Sequence, residues 1–320
     1  MPPKISVVIP TYRRPELLKK CLTALAAQTF PKKDFEVIVV SDGPDEETEA
    51  AVRKVLSGNF RYLALPQKGG PAAARNMGWR AAQGTLIAFT DDDTVPDRSW
   101  LSGYATHYNN EAHIAYTGKI VVPRPARPTD YERNTAGLET ADFVTANCAV
   151  TRAALEAVGG FDERFSAAWR EDSDLEFRLL EAGVPIFRLE DALVVHPVRQ
   201  APWGVSLKEQ KKGVYNALLY KKFPERYRQK IQPRPALDYY GLLLAAGGIA
   251  YGLISGKKGL AMGSGAVWAA LMARFIVRRL KGASHEPSHV AEMVATSVAI
   301  PYASVYWQLR GAWRYKVLFF

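Results

Sequence analysis

At 320 residues, 48 % hydrophobic and 23 % charged, the chain is long enough for a well-buried domain plus a smaller one, and it is not a disordered polymer. Its two cysteines, Cys21 and Cys148, have neither metal-ligand nor disulfide spacing, so a reducing compartment is expected. The net charge of +10 comes entirely from the last third: residues 1–206 hold 24 basic and 27 acidic side chains, residues 207–320 hold 18 and 5. Because the basic clusters there alternate with long apolar runs, a membrane surface is the expected partner and nucleic acid is not.

The opening Met-Pro-Pro-Lys runs directly into a strand, and no signal-peptide core is expected. Ile5–Ile9 reads as that strand, followed by a helix from about Pro15 to Gln28. Strand Glu36–Val40, helix Glu46–Leu56, strand Arg61–Leu65, helix Pro71–Gln83 and strand Leu86–Thr90 come next. This alternation predicts an α/β fold, a mostly parallel sheet with helices on both faces. Beyond Asp93 the pattern loosens. Residues 116–145, with Pro123, Pro125 and Pro128, read as a strand leading into an irregular loop. Residues 151–160 form a short helix ending at Gly159-Gly160, and Asp172–Glu181 another ending at Gly183. The expected boundary falls after the basic stretch Lys208–Arg234: residues 1–232 as the globular domain, 233–320 as a helical, membrane-associated region.

The chemistry is concentrated where the apolar run Leu86–Phe89 ends in Thr90-Asp91-Asp92-Asp93. A strand buried on both faces delivers the residues after it to the carboxyl edge of the sheet, where open α/β folds bind ligands. Three adjacent acids repel one another unless a cation or hydrogen-bond donors meet them. A helix cap needs only one, so a metal site is the better reading. Three further segments converge on the same edge: Pro10-Thr11-Tyr12-Arg13-Arg14, Ser41-Asp42-Gly43, and the glycine-opened helix start Lys68 to Asn76. They supply an aromatic face, a carboxylate for ribose or base donors, Lys68 and Arg75 for phosphate, and backbone N–H groups. Later, Glu171-Asp172 opens an amphipathic helix, and capping accounts for one of the two acids. His196 ends a short strand and is a ligand only if the fold brings it to the aspartates.

Over most of residues 4–200 this set resembles the family 2 glycosyltransferases of the GT-A type. Asp91–Asp93 is similar to their DxD motif, and Gly70-Pro71-Ala72-Ala73-Ala74-Arg75-Asn76 to the segment that places an arginine near the diphosphate. Gly159 to Glu163 and Glu171-Asp172 resemble the acceptor-side segments. The resemblance implies a nucleotide-sugar site of Pro10, Thr11, Tyr12, Arg14, Asp42 (toward the base), Lys68, Gly70, Arg75, Asp91 (nearer the ribose) and Asp92. It implies Mn²⁺ or Mg²⁺ on Asp93 and His196, Asp172 as general base with Glu171 beside it, and Asn147, Trp169 and Arg170 on the acceptor side. The expected reaction is single, inverting transfer from a nucleoside diphosphate sugar, UDP favoured, because no Gln-x-x-Arg-Trp motif of processive synthases is present. Three alternatives compete with it, the last a non-enzymatic nucleotide or sugar binder, which has no need for Asp172 and His196 near a metal. A polyprenyl-phosphate sugar transferase needs no base, and a nucleotidyltransferase commonly has the glycine-rich loop that Pro10–Arg14 lacks.

In the last third, Tyr239–Gly256 is 18 residues without a charge, about 27 Å as a helix, and Gly259–Val277 is a run of 19 broken only by Arg274. The short turn Lys257-Lys258 makes them a hairpin, and Gly248, Gly252, Gly256, Gly259 and Gly263 are expected to let its arms pack closely. Basic residues flanking its outer ends place both ends, and the globular domain, on the cytoplasmic face. Residues 289–316, with Pro301, Tyr306, Trp313, Arg310 and Arg314, read as an interfacial helix, and that placement points to a lipid or lipid-linked acceptor. The competing reading is a soluble helical subdomain.

Overall fold

The computed structural model describes residues 2–55 and 58–319; Leu56, the expected end of the second helix, lies outside the described residues. The chain divides into two units, one of Met1–Pro123 with Ala136–Val198, the other of Arg124–Thr135 with Arg199–Phe320. The break therefore falls at Val198, not at 232. Val198 still packs beside the Ile120–Val122–Val144–Ala146 cluster of the first unit. Downstream, helix Val214–Lys222 buries its apolar side chains against the final helix of the second unit.

The first unit is an eight-stranded sheet flanked by helices. In chain order its strands are β1 (Ile5–Thr11), β2 (Phe35–Ser41), β3 (Phe60–Ala64), β4 (Leu86–Thr90), β5 (Val95–Pro96), β6 (Ala115–Val121), β7 (Asn147–Thr151) and β8 (Ile186–Val195). They lie in the order β3-β2-β1-β4-β7-β6-β8-β5. From β3 to β4 all pairings are parallel, as the sequence predicts, and β6 also runs parallel to β8. The remainder makes the sheet mixed: β7 is antiparallel to both β4 and β6, and β5 to β8.

Every residue of β1, β2 and β4 is buried, which is why they read as unbroken apolar runs. Alternation sorts their side chains: Ile5, Val7 and Ile9 meet Leu18, Leu22 and Leu25 of α1 (Pro15–Ala26), while Val8 faces Ala72, Ala74 and Trp79 of α3 (Pro71–Ala81). Helix α2 (Glu46–Val55) packs beside α1, and α4 (Trp100–His107) packs on β8. The expected irregular loop after β6 contains a helix, α5 (Asp130–Ala136). Helices α6 (Arg152–Val158) and α7 (Glu171–Glu181) complete the unit.

The second unit is helical: α8 (Val205–Glu209), α9 (Val214–Lys222), α10 (Pro224–Lys230), α11 (Leu237–Ile254), α12 (Lys258–Leu280) and α13 (Pro287–Tyr315). Arg279 of α12 is its polar centre, bonded to Asp130 at 2.7 Å and to the hydroxyls of Thr296, Ser297 and Ser206 at 2.8–3.1 Å. These bonds explain why residues 124–135 belong here. Helices α11 and α12 form the expected hairpin. A Cβ on Gly252 would fall 2.6 Å from the Ala261 backbone nitrogen, and Gly248 abuts Ser264. Gly259 and Gly263 face open space and Gly256 sits in the turn at φ +70°, so only two of the five expected glycines line the seam.

Candidate active site

The end of β4 is locked before it delivers its acids. The Thr90 hydroxyl donates to the Ala146 carbonyl at 2.9 Å and lies 2.7 Å from that of Thr94, which donates to the Asp91 carbonyl at 2.8 Å. From this turn the three aspartates diverge. Asp92 is drawn under the β1 loop, accepting from the Thr11 hydroxyl at 2.8 Å and from Arg14 at 3.4 Å. Burial pushes its carboxyl up to about 6, opposed by Arg14. Asp91 takes the Arg75 guanidinium at 2.7 Å, and Asp93 faces Nε2 of His196 at 3.6 Å.

His196 comes directly after β8, its N–H donating to the Val121 carbonyl at 2.9 Å, and this delivers the lone histidine to the acids. One potential ligand atom from each of Asp91, Asp93 and His196 lies within 4.8 Å of the others. Two carboxylates and an imidazole suit Mn²⁺ or Mg²⁺, the nitrogen inclining the set toward Mn²⁺. Asp91, expected nearer the ribose, thus lies in one cluster with the two residues expected as ligands.

Arg75, expected near the diphosphate, has two carboxylate partners. Its guanidinium is 3 % exposed and is held by Asp91 and by Glu171, the latter at 3.3 Å, so it links the two acidic clusters. Gly70 allows α3 to start where it does: its φ is +94°, and a Cβ there would lie 2.5 Å from the Ser166 carbonyl oxygen. Asp42 is buried and one of its oxygens accepts the N–H groups of Gly69 and Gly70 at 2.6 and 2.8 Å, tying two of the edge loops together. Beside them Lys68 lies over the Tyr12 ring at 4.0 Å. Pro10 and Thr11 are the last residues of β1, paired with Val40 and Ser41.

Glu171 and Asp172 open α7 after Arg170, which adopts φ +75° and stacks on Trp169 at 4.6 Å. Glu171 is buried, and its Oε2 has no hydrogen-bond partner among the described residues. Burial and then the Asp172 charge push its carboxyl up to about 7 against the pull of Arg75. Asp172 is also raised, by burial foremost, although its Oδ1 accepts the Ser173 N–H at 2.7 Å.

Asn147 is corrected. It is fully buried in β7, its oxygen accepting from Trp100 and Tyr104 at 2.8 and 2.7 Å and its amide donating to the Lys119 and Ala192 carbonyls at 2.8 Å. All four bonds are spent inside the core, leaving nothing to offer an acceptor. Asn76 and Arg178 were not singled out by sequence. Asn76 clamps both backbone groups of Phe161, at 2.8 and 2.9 Å, and Arg178 holds the carbonyls of Val158 and Gly160 at 2.6 Å. The one available hint was the position of Asn76 directly after Arg75.

Residues 6–159 match the family model described as Glycosyl transferase family 2. Glycosyltransferase AglE of Haloferax volcanii is 29 % identical over 219 residues, 65 % of this chain and 71 % of that protein. Pre-mycofactocin glycosyltransferase of Mycobacterium tuberculosis is 31 % identical over 215 residues, 61 % of this chain but 43 % of its own length. The chain thus spans less than half of the mycobacterial relative. Among solved structures, mannosyltransferase PcManGT from Pyrobaculum calidifontis, in complex with GDP-Man and Mn²⁺, aligns with a TM-score of 0.56 at 18 % identity, over 99 % of this chain and 88 % of that one. A fragment of S. aureus TarS in complex with UDP-GlcNAc aligns at 0.53 and 17 % identity, over 98 % and 92 %. These likenesses establish the fold. Residues 6–159, just under half of the chain, thus match glycosyltransferase family 2, and the named relatives are glycosyltransferases.

Proposed function

We propose that the enzyme is a metal-dependent, inverting transferase moving one sugar from a nucleoside diphosphate donor, UDP favoured, to a hydroxyl of a lipid or lipid-linked acceptor at the cytoplasmic face of a membrane. The observation that carries the chemistry is the convergence of Asp91, Asp93 and His196 within 4.8 Å, linked through Arg75 to Glu171. Those three residues would hold Mn²⁺ or Mg²⁺, which when bound supplies positive charge to the departing diphosphate. Arg75 fixes the Asp91 carboxylate so that the ligand set is organised in advance. Tyr12 offers a face to the base.

On the acceptor side, Asp172 takes the hydroxyl proton as the new bond to the anomeric carbon forms and the bond to phosphate breaks, its electron pair leaving with the diphosphate. Burial raises the affinity of Asp172 for that proton, which suits a general base. Attack opposite the leaving group inverts the anomeric centre. The acceptor class rests on α11 and α12. Each is long and apolar enough to cross a bilayer, with mean hydropathy 1.4 and 1.6, yet only 17 % and 11 % of their most apolar stretches are buried. A core helix of a soluble subdomain buries its apolar surface, and these do not. Along α13 the exposed Val294, Val298, Tyr306, Leu309 and Trp313 form a second outward stripe, fitting an interfacial helix.

A thermal-shift screen of nucleoside diphosphates with and without Mn²⁺ tests the reading, since a ligand of the folded state raises its melting temperature. A rise that needs both is expected. Equal rises with and without Mn²⁺ for every nucleotide would overturn the metal-dependent site.

A further inference from the structure

The two units are oppositely charged. The catalytic unit carries 20 basic and 25 acidic residues, net −5, and the helical unit 22 and 7, net +15. Within the helical unit the excess is concentrated. Residues 210–236 contain eight basic side chains and one acid, Glu225, and residues 293–320 contain Arg310, Arg314 and Lys316 with no acid.

The fold brings these two stretches together. Lys221, at the end of α9, donates to the Tyr315 carbonyl at the end of α13 at 2.8 Å. Phe319, 2 % exposed, is seated against Tyr220 and Tyr227 at ring distances of 5.0 and 5.4 Å, and Arg228 stacks on Tyr220 at 4.9 Å. Seated in this way, the chain's tail fixes Arg314 and Lys316 beside the basic α9–α10 pair. Two large apolar side chains of that tail nevertheless point outward, Trp313 at 84 % and Leu318 at 81 % exposure.

We infer that this patch (Lys221, Lys222, Lys230, Arg314 and Lys316 around Trp313 and Leu318) is a binding surface for anionic phospholipid. Cations alone fit any polyphosphate. Cations interleaved with an exposed indole and leucine, at the end of a helix with an apolar outer stripe, fit a bilayer surface, where the rings and aliphatic chains enter the interface and the ammonium and guanidinium groups meet phosphate. Nucleic acid would leave that apolar surface in water. The inference rests on the membrane reading above and adds which membrane: one rich in negatively charged headgroups.

The test uses full-length protein diluted from detergent onto phosphatidylcholine vesicles, or onto vesicles with about 30 % phosphatidylglycerol, followed by flotation. Binding to the anionic vesicles about tenfold tighter or more is expected at 0.1 M salt, shrinking at 0.5 M as screening shortens the reach of the charges. A variant with Lys221→Gln, Lys222→Gln, Arg314→Gln and Lys316→Gln should lose the preference while floating with phosphatidylcholine as the parent does, which also reports that it is folded. Equal binding of the parent to both vesicles refutes the patch and leaves the hairpin standing. Binding to anionic vesicles that 0.5 M salt fully reverses supports the patch and refutes the hairpin. Binding to neither refutes both.

Discussion

Replacing Arg75 with Met should expose how far this site depends on one buried cation. The methionine keeps the aliphatic stem and removes a guanidinium that is 3 % exposed and holds Asp91 at 2.7 Å and Glu171 at 3.3 Å. Removing one member of a buried ion pair costs roughly 3–5 kcal/mol, because the partner is left charged and unsolvated. Glu171 already has an unpartnered oxygen, so about 4 kcal/mol is expected at pH 8. The loss should depend on pH. In the folded protein the Glu171 carboxyl is pushed from an ordinary 4.5 to about 7. A folded value above the unfolded one means that the folded state holds the proton more tightly. The stabilisation is complete below about 4.5 and is lost as pH rises through 7, about 3 kcal/mol in all for the parent. Without Arg75 the folded value climbs further. At pH 5 Glu171 is neutral in parent and variant alike and only Asp91 is left uncompensated; because Glu171 titrates near 7 in the parent, the loss should be smaller than at pH 8 by up to about 1.4 kcal/mol, leaving roughly 3 kcal/mol. Urea unfolding at both pH values measures this. Equal losses at pH 5 and pH 8, or a loss below about 1 kcal/mol at pH 8, would refute the buried bridge.

Asp93→Ala should abolish the Mn²⁺-dependent part of the nucleotide thermal shift and reduce turnover together; a shift as large as the parent's would remove Asp93 from the ligand set. Asp172→Asn keeps the shape but cannot take a proton, so turnover should fall about a hundredfold or more with nucleotide affinity nearly unchanged. Unaltered turnover would return the phosphate-acceptor alternative to favour. Gly252→Leu places a side chain where the Ala261 nitrogen lies 2.6 Å from the first added atom, and should destabilise the hairpin by about 1–3 kcal/mol in detergent melts without altering nucleotide binding. An unchanged melt would mean the two arms are not in contact there.

The parallel half of the sheet was legible because β1, β2 and β4 are buried on both faces, and that burial is written as apolar runs. The antiparallel entry of β7 was not legible. A five-residue apolar strand reads the same in either direction, and its direction is set by pairing Thr90 with Asn147 and Leu86 with Thr151. Asn147 shows the same limit for a side chain: an asparagine at the head of a short strand looks available until Trp100 and Tyr104 arrive from α4 to fill its oxygen. The domain boundary was misplaced because the basic stretch after Lys208 resembles a linker, whereas α9 within it carries a buried face.

The aspartates carry this furthest. Three identical side chains in a row establish that something must meet the charge, and nothing in the run distinguishes them. The fold sorts them by bringing a different partner to each. The β1 loop supplies Thr11 and Arg14 to Asp92, so the middle acid turns inward, away from the cluster of Asp91, Asp93 and His196. Helix α3 supplies Arg75 to Asp91, and the residue after β8, His196, stands opposite Asp93. Each partner is separated from its aspartate by 16 to more than 100 residues of chain, so the assignment is a tertiary property. The family likeness therefore locates the acids, while the surroundings of each depend on contacts that local spacing does not encode; Arg75, which local spacing gives no reason to pair with Glu171, bridges it to Asp91.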